Sequence, residues 1–324
     1  MTLISIVTPC FNEAENINEL YKRVRTEMGK IGDCDYEHIF IDNASTDATV
    51  DIIKLIADTD PRVRLIVNAR NFGHIRSPYH AILQASGDAV ILIVADLQDP
   101  PELLPEFIAK WRAGHRIVVG VKNKSHESPV MFAIRRTYYS FLARIGEHPI
   151  ILNFTGFGLY DRQVIAALRE MQDPYPYFRG LISEVGFDPV LIEYVQPVRR
   201  RGITKNNFYS LYDIAMLGIT SHSKVPLRLA TMGGFLLSIA SLLTAVGYLA
   251  LKLIFWNSFS IGIAPILIGL FFFFSVQLFF TGLVGEYIIS IHTRVYNRPL
   301  VVEKERVNFP DTSSSKSDIQ RTQS

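Results

Sequence analysis

Between about Ala230 and Leu251, and again between about Ile261 and Val284, the chain runs without a single formal charge for roughly the length that crosses a bilayer. A soluble alternative would have to bury LIGLFFFFSVQLFF on every face of a helix, which small soluble domains seldom can. The segment beginning at Trp256 that separates the two stretches is too short for a domain, so they read as a tight antiparallel hairpin. Helices are expected over 229–255 and 261–291, with both outer ends on one side of a membrane. Basic residues decide which side. Arg199, Arg200, Arg201, Lys205, Lys224 and Arg228 precede the first stretch, and Arg294, Arg298, Lys304 and Arg306 follow the second, while the linker side has only Lys252. That bias puts both termini in the cytoplasm.

The start of the chain, MTLISIVTPCFNE, has no basic n-region and carries Pro9 inside its apolar run, so it does not read as a signal peptide. The expectation is an integral membrane protein whose first two hundred or so residues stay in the cytosol. Composition fits this division: of 324 residues 48% are hydrophobic and 20% charged, which excludes disorder and collagen-like repetition. With only Cys10 and Cys34, a disulfide-stapled secreted module is excluded too. The formal net charge of +2 gives no argument for nucleic acid as a partner.

Residues 1–205 alternate short apolar runs with amphipathic stretches: LISIVTP then NINELYKRVRTEM, HIFID then TVDIIKLIA, RLIVN then HAILQAS, AVILIVA then PELLPEFIAKW. Buried strands followed by crossover helices make an α/β domain with a mostly parallel central sheet. Ligands in such sheets collect at the carboxyl ends of the strands, where this chain places Pro9 to Glu13, Asp42 to Asp47, Arg70 to Gly73 and Asp96 to Pro101. Residues 206–228 mix aromatics with bases and read as a juxtamembrane interfacial segment. Residues 303–324, polar and Ser-rich towards the end, read as a disordered cytosolic tail.

The strongest chemical signal is Asp96-Leu97-Gln98-Asp99-Pro100-Pro101. Two carboxylates and an amide on a loop held open by prolines suit a hard divalent cation, Mg²⁺ or Mn²⁺, completed by substrate phosphates and water. Asp96 and Gln98 are the ligands expected, and Asp99 is either a further ligand or the cap of the helix starting near Pro101. Asp42, Asn43 and Asp47 can hydrogen-bond a nucleobase or ribose, or Asp47 with Ser45 and Thr46 can cap the helix that follows. Glu13 stands where a turn enters a helix, a place where a carboxylate also favours the helix dipole. Ahead of the membrane, Arg199-Arg-Arg-Gly-Ile-Thr-Lys205 offers guanidinium forks and an ammonium for a diphosphate, or a polybasic patch for an anionic leaflet. Arg201 and Lys205 are the phosphate candidates there, and Arg179 is another. Ala230, Gly234 and Ser238 recur every four residues and face either a second copy of the chain or lipid.

VTPCFNE, IDNASTDAT, RNFG, ADLQDPPE, GFGLYDR, FRGLISEVGF and RGITK, in that order and followed by two apolar spans, resemble the family 2 glycosyltransferases, and within them the polyisoprenyl-phosphate group that includes bactoprenol glucosyltransferases and dolichol-phosphate mannose synthases. The resemblance covers nearly the whole chain except its tail. It implies a nucleotide-diphospho-sugar-binding fold, a divalent metal and inverting transfer of a hexose-type sugar, with UDP the expected nucleotide, to a polyprenyl phosphate at the cytosolic face of a bacterial-type plasma membrane. By match, Pro9, Glu13 and Asp42 contact the nucleoside, Asp96 and Gln98 serve the metal-diphosphate, and Arg201 and Lys205 hold the phosphates, so that Asp96, Arg201 and Lys205 form the catalytic set.

Two positions depart from the family pattern. The usual Asp-Ala-Asp reads Val94-Ala95-Asp96, and the Asp that relatives place ahead of the FRLMDR-like segment is replaced within Asn153-Phe-Thr-Gly-Phe-Gly-Leu-Tyr-Asp161. No general base is assigned, and Asp161 is the remaining candidate. A sugar-hydroxyl acceptor would suffer on the order of 10² to 10⁴-fold from a lost base, whereas a phosphate monoester with a second pKa of about 6 is already mostly dianionic at neutral pH. The departures therefore favour a lipid phosphate. Two rival readings are a non-catalytic membrane-tethered nucleotide-sugar-binding protein and a processive polysaccharide synthase, though the Gln-x-x-Arg-Trp motif of the latter is absent.

Overall fold

In a computed structural model, the structure describes residues 2–124, 151, 153–174, 176–197, 225–255, 263–295 and 298–310. They fall into two compact units, one with all the described strands and one with two long helices.

The stranded unit holds β1 (Thr2–Cys10), α1 (Ala14–Gly29), β2 (Cys34–Asp42), α2 (Thr49–Thr59), β3 (Val63–Asn68), α3 (Gly73–Gln84), β4 (Ala89–Leu92), a 3-10 turn (Pro101–Leu103), α4 (Leu104–Arg112) and β5 (Ile117–Lys124). β6 (Phe154–Asp161), α5 (Arg162–Met171), α6 (Phe178–Glu184), β7 (Pro189–Val195) and β8 (Glu303–Val307) complete it. The sheet order is β7-β5-β6-β4-β1-β2-β3-β8. Only β6 and β8 run against the others. The mostly parallel sheet expected from the sequence is present.

Period-two alternation sorts the strand side chains onto two faces. Ile4, Ile6 and Phe40 join Ile17, Leu20 and Val24 of α1, Ile53 of α2 and Phe107 of α4 on one face. Val7, Ile39 and Ile41 join Tyr79 and Ile82 of α3, Val164, Ile165 and Leu168 of α5 and Leu181 of α6 on the other. Each fully buried side chain of this size stabilises the fold by about 1.5–3 kcal/mol relative to exposure. With both faces covered, the polar chemistry is left to the strand ends.

Residues 303–307, expected to belong to the tail, form a strand of the sheet. β8 pairs antiparallel with β3, Leu65 opposite Val307 and Asn68 opposite Glu303. EKERV is charged because an outer strand needs only its main chain to pair, and charge guards its open side. Its side chains find partners on neighbouring helices: Glu303 meets His80 at 2.5 Å, Glu305 meets Lys54 at 2.7 Å, and Arg306 donates to Gln84 at 2.8 Å. Asn308 Nδ2 donates to the carbonyls of Ala57 and Val63, each at 2.9 Å. Residues 311–324 lie outside the described residues.

The second unit consists of α7 (Val225–Ile254) and α8 (Ile263–Val295). α7 starts a few residues before the expected boundary, with Pro226 in its first turn, where a missing N–H costs nothing. α8 runs past the expected end at 291. Its segment Phe272–Ile289 is long and apolar enough to cross a membrane and is not buried within the protein, whereas among the described residues of α7 the apolar stretch Leu227–Leu237 is shorter. Of the expected interfacial segment, 206–224 lies outside the described residues.

Candidate nucleotide and metal site at the strand ends

Because β1 to β4 run parallel, the turns after them share one edge. β5 and β7 end there too, through two antiparallel steps across β6. Four of the six non-glycine residues with positive φ among the described residues sit in turns along this edge: Asn12 (56°), Ala44 (63°), Leu97 (59°) and Asn153 (57°). Left-handed backbone costs an ordinary residue about 1–2 kcal/mol, and such positions persist where the surroundings over-determine them.

The surroundings here are side-chain hydrogen bonds between turns. Asn12 N–H donates to Ser45 Oγ at 2.8 Å, and Asn12 Oδ1 accepts from Thr46 N–H at 2.8 Å. Glu13 N–H donates to Thr49 Oγ1 at 2.9 Å and Ala14 N–H to Asp47 Oδ2 at 3.2 Å. The Ser-Thr-Asp run thus serves the start of α1 as well as that of α2, where Asp47 Oδ1 accepts from Thr49 N–H at 3.0 Å. Glu13 is the residue flanking α1, and its Oε2 accepts from Asn16 at 2.6 Å. Pro9, on β1 opposite Ile41, lines the same edge.

Asp42, at the last position of β2, is fully buried. Its Oδ2 accepts from Ser45 N–H at 2.9 Å, while Oδ1 has no partner among the described residues. Burial pushes its pKa up, and the Ser45 bonds temper the rise. A buried oxygen without a donor is costly, so this atom is the one a ligand N–H would relieve.

Asn43 is corrected by the structure. Its Nδ2 donates to Asn71 Oδ1 at 2.9 Å and to the Gly73 carbonyl at 3.1 Å. Its Oδ1 accepts from Phe72 N–H at 2.8 Å and Asn68 Nδ2 at 3.2 Å. Both donors and both acceptor sites are consumed, so Asn43 positions the Arg70–Gly73 turn rather than offering itself to a nucleotide. That turn leads into α3, whose first residues include His74. Burial, and then the charge of Arg179 on α6, lower the His74 pKa. Arg179, half-buried, is thereby brought to the start of α3.

Asp96 is partly exposed, and its Oδ1 accepts from Gln98 N–H at 3.1 Å, closing a tight turn through Leu97. Gln98 is also partly exposed. Asp99 is not: it is 3% exposed and its Oδ1 accepts from the Tyr194 hydroxyl at 2.9 Å. Burial pushes Asp99 up to about 6, against the Tyr194 bond and the nearby Lys122 charge, and the Val94 main chain also reaches its carboxylate. No side chain caps the 3-10 turn or α4. Asp99 is therefore neither cap nor open ligand, because its carboxylate is sealed against β7.

Among the described residues no three His, Cys, Asp or Glu side chains cluster as a metal cage. One partly exposed carboxylate with a neighbouring amide still fits Mg²⁺ or Mn²⁺ that arrives with a diphosphate, since such ions keep water and substrate oxygens as ligands.

Asp161 is not placed as a base. It pairs with Ala89 at the opposite end of β4 from this edge. Its carboxylate accepts from Gln163 N–H at 2.9 Å, Trp111 Nε1 at 2.7 Å and Arg116 at 3.0 Å, and so caps α5. Burial works to raise its pKa, and these bonds hold it below the usual range. Arg199, Arg200, Arg201 and Lys205 lie outside the described residues, but β7 carries the chain to the site edge four residues before Arg199.

Sequence reasoning missed Tyr194 and Lys122. The signal for Tyr194 was available: in LIEYV it occupies an inward strand position, where a buried hydroxyl requires a partner.

Residues 5–169 match the model of Glycosyl transferase family 2. The chain is 34% identical over 299 residues to the uncharacterized glycosyltransferase YkcC of Bacillus subtilis, covering 92% of each chain. It is 35% identical over 303 residues to the SfII prophage-derived bactoprenol glucosyl transferase of Shigella flexneri, covering 93% of this chain and 97% of that one. Among solved structures, the mannosyltransferase PcManGT of Pyrobaculum calidifontis, in complex with GDP-Man and Mn²⁺, aligns with a TM-score of 0.46 at 17% identity over 91% of this chain and 86% of that one.

Proposed function

Since the chain belongs to glycosyltransferase family 2 and is a glycosyltransferase, we propose that it transfers a hexose-type sugar, with inversion, from a UDP-sugar to a polyprenyl phosphate at the cytosolic face of the plasma membrane, for modification of a cell-envelope glycan. The observation that carries the reading is the pairing, on one sheet edge, of a buried carboxylate with one unpartnered oxygen and a partly exposed carboxylate in a strained turn, Asp42 and Asp96. Asp42 Oδ1, buried and without a partner among the described residues, suits a base that presents a ring N–H, as uracil does.

Support for the lipid acceptor comes from relatives named for bactoprenol and from the apolar helices. In this reading α7 and α8 both span the membrane, and 199–205 and 294–306 face the cytosol. Along α7, Ala230, Gly234 and Ser238 recur every four residues, a spacing that would let a helix of a second copy approach closely.

A bound Mg²⁺ or Mn²⁺ would supply charge neutralisation at the donor diphosphate. Asp96 and Gln98 would hold it, Arg201 and Lys205 would hold phosphate oxygens, and Glu13, Pro9 and Asp42 would orient the nucleoside. Asn153, in the turn before β6, carries an amide and cannot act as a base. A phosphate acceptor needs no proton removed, because as a dianion it attacks the anomeric carbon directly, and the nucleoside diphosphate leaves from the opposite face.

Membranes containing the protein, given polyprenyl phosphate and a panel of labelled nucleotide sugars with and without EDTA, test this. Label from a UDP-sugar should enter the organic phase only with metal present. Transfer to a glycan hydroxyl and never to the lipid phosphate would overturn it.

A further inference from the structure

Tyr194 is the penultimate residue of β7, 6% exposed, with its ring edge-on to Phe157 at 5.6 Å. Phe157 in turn packs on Phe107 at 4.9 Å. A Cβ at Gly120 would stand 2.8 Å from Phe157 and 3.0 Å from Tyr194, so glycine there lets the two rings close over the strand. The Tyr194 ring is thus fixed, and its hydroxyl, which Thr155 also meets, is delivered to Asp99 Oδ1 at 2.9 Å. Asp99 belongs to the same turn as Asp96, three residues on.

That turn is strained at Leu97, φ 59°, and it is held from two sides. Arg23 of α1 grips Glu102 with bonds of 3.0 and 2.7 Å, but both partners are substantially exposed, and exposed pairs contribute little. The Tyr194 bond is buried, where a hydrogen bond to a carboxylate is stronger and its loss costs more. The same residue lies opposite Lys122 in the sheet register, and five residues beyond it is Arg199.

We propose that Tyr194 is a positioning residue for the metal–diphosphate site: its hydroxyl, acting through Asp99, holds the Asp96 turn in the strained conformation that presents Asp96 to a divalent cation. It also ties that turn to the strand from which the basic run departs. The inference rests on the sugar-transfer reading above.

The test uses the full-length protein in detergent and measures Mn²⁺ binding by electron paramagnetic resonance with UDP present. Tyr194→Phe keeps the ring and removes only the hydroxyl. The Mn²⁺ dissociation constant should rise by about tenfold or more, the scale on which residues supporting metal ligands act, while the melting temperature moves by a few degrees at most. The metal concentration for half-maximal turnover should rise in parallel, with kcat at saturating Mn²⁺ changed less. Asp99→Leu removes the acceptor at similar volume, breaks the link from the other side and should shift Mn²⁺ binding in the same direction. Mn²⁺ binding within twofold of the parent in both variants would overturn this proposal alone. A parent protein that binds no Mn²⁺ with UDP present would overturn the sugar-transfer reading with it.

Discussion

In the stranded unit Phe107, Phe154 and Phe157 are at most 1% exposed, whereas in the helical pair Phe235, Leu278 and Phe279 stand 66, 71 and 69% exposed. Leaving such side chains in water forgoes about 1.5–3 kcal/mol each, so the two units are built for different solvents. They also differ in backbone. Among the described residues every positive φ belongs to the stranded unit, and none to α7 or α8. Strain requires dense surroundings to hold it, and two long helices with exposed apolar faces supply none. The difference teaches that irregular turns belong to the unit whose packing can hold them.

That division can be broken most sharply at Asp96. Asp96→Asn should lower turnover by on the order of 10³-fold, as loss of an electrostatic group at a reacting charge does, with unchanged urea unfolding of the stranded unit. Activity close to the parent's would remove Asp96 from the site. Next in size is Leu278→Arg in α8. If the helix crosses the membrane, a central arginine costs about 2.5–3.5 kcal/mol of insertion, and carbonate extraction should release a larger share of the protein. Equal retention would deny α8 its proposed surroundings.

A smaller effect lies in the core of the stranded unit. His38 is fully buried, its Nε2 lies 2.9 Å from Thr8 Oγ1, and burial pushes its pKa down to about 3. The ring is neutral when folded and protonates near 6.5 when unfolded, so the unfolded state binds the extra proton between those values. Its contribution to stability is complete above about pH 6.5 and is lost as pH falls towards 3, by at most about 1.4 kcal/mol per pH unit. Asp99, raised to about 6, acts oppositely between its unfolded value and 6, so the comparison must be made between variants. His38→Gln should lose less stability than the parent between pH 6.5 and 5 in urea unfolding, and identical slopes would show that His38 is not kept neutral. The smallest effect is Ala44→Gly. Relief of left-handed strain at about 1–2 kcal/mol, less the entropy of glycine at about 0.5–1 kcal/mol, should leave the protein roughly 0.5 kcal/mol more stable. A loss of stability would mean that the Ala44 turn is not strained.

The alternating strands and crossover helices were legible because burial on both sheet faces writes continuous apolar runs. The place of Asp96 at a strand end was legible for a similar reason, since it stands straight after such a run. Roles set by distant partners were not legible. Asp99 answers to Tyr194, 95 residues away, and Asn43 to a turn 28 to 30 residues on. Nothing local in either residue reports whether its hydrogen bonds are spent. Asp161 misled because strand direction, not residue type, decides which end of the sheet a carboxylate faces. β8 was hidden by its charges, which an outer strand carries at no cost to its main-chain pairing.

β8 also orders events in time. Lys54 must wait for Glu305, 251 residues later, and the intervening chain includes both long helices. At about 5–20 residues per second, the outer edge of β3 stands unpaired for on the order of ten seconds or more while the helices are being made. The sheet is therefore closed at its outer edge only after both long helices have been made, so β3 waits for its last partner on nearly the whole of the chain.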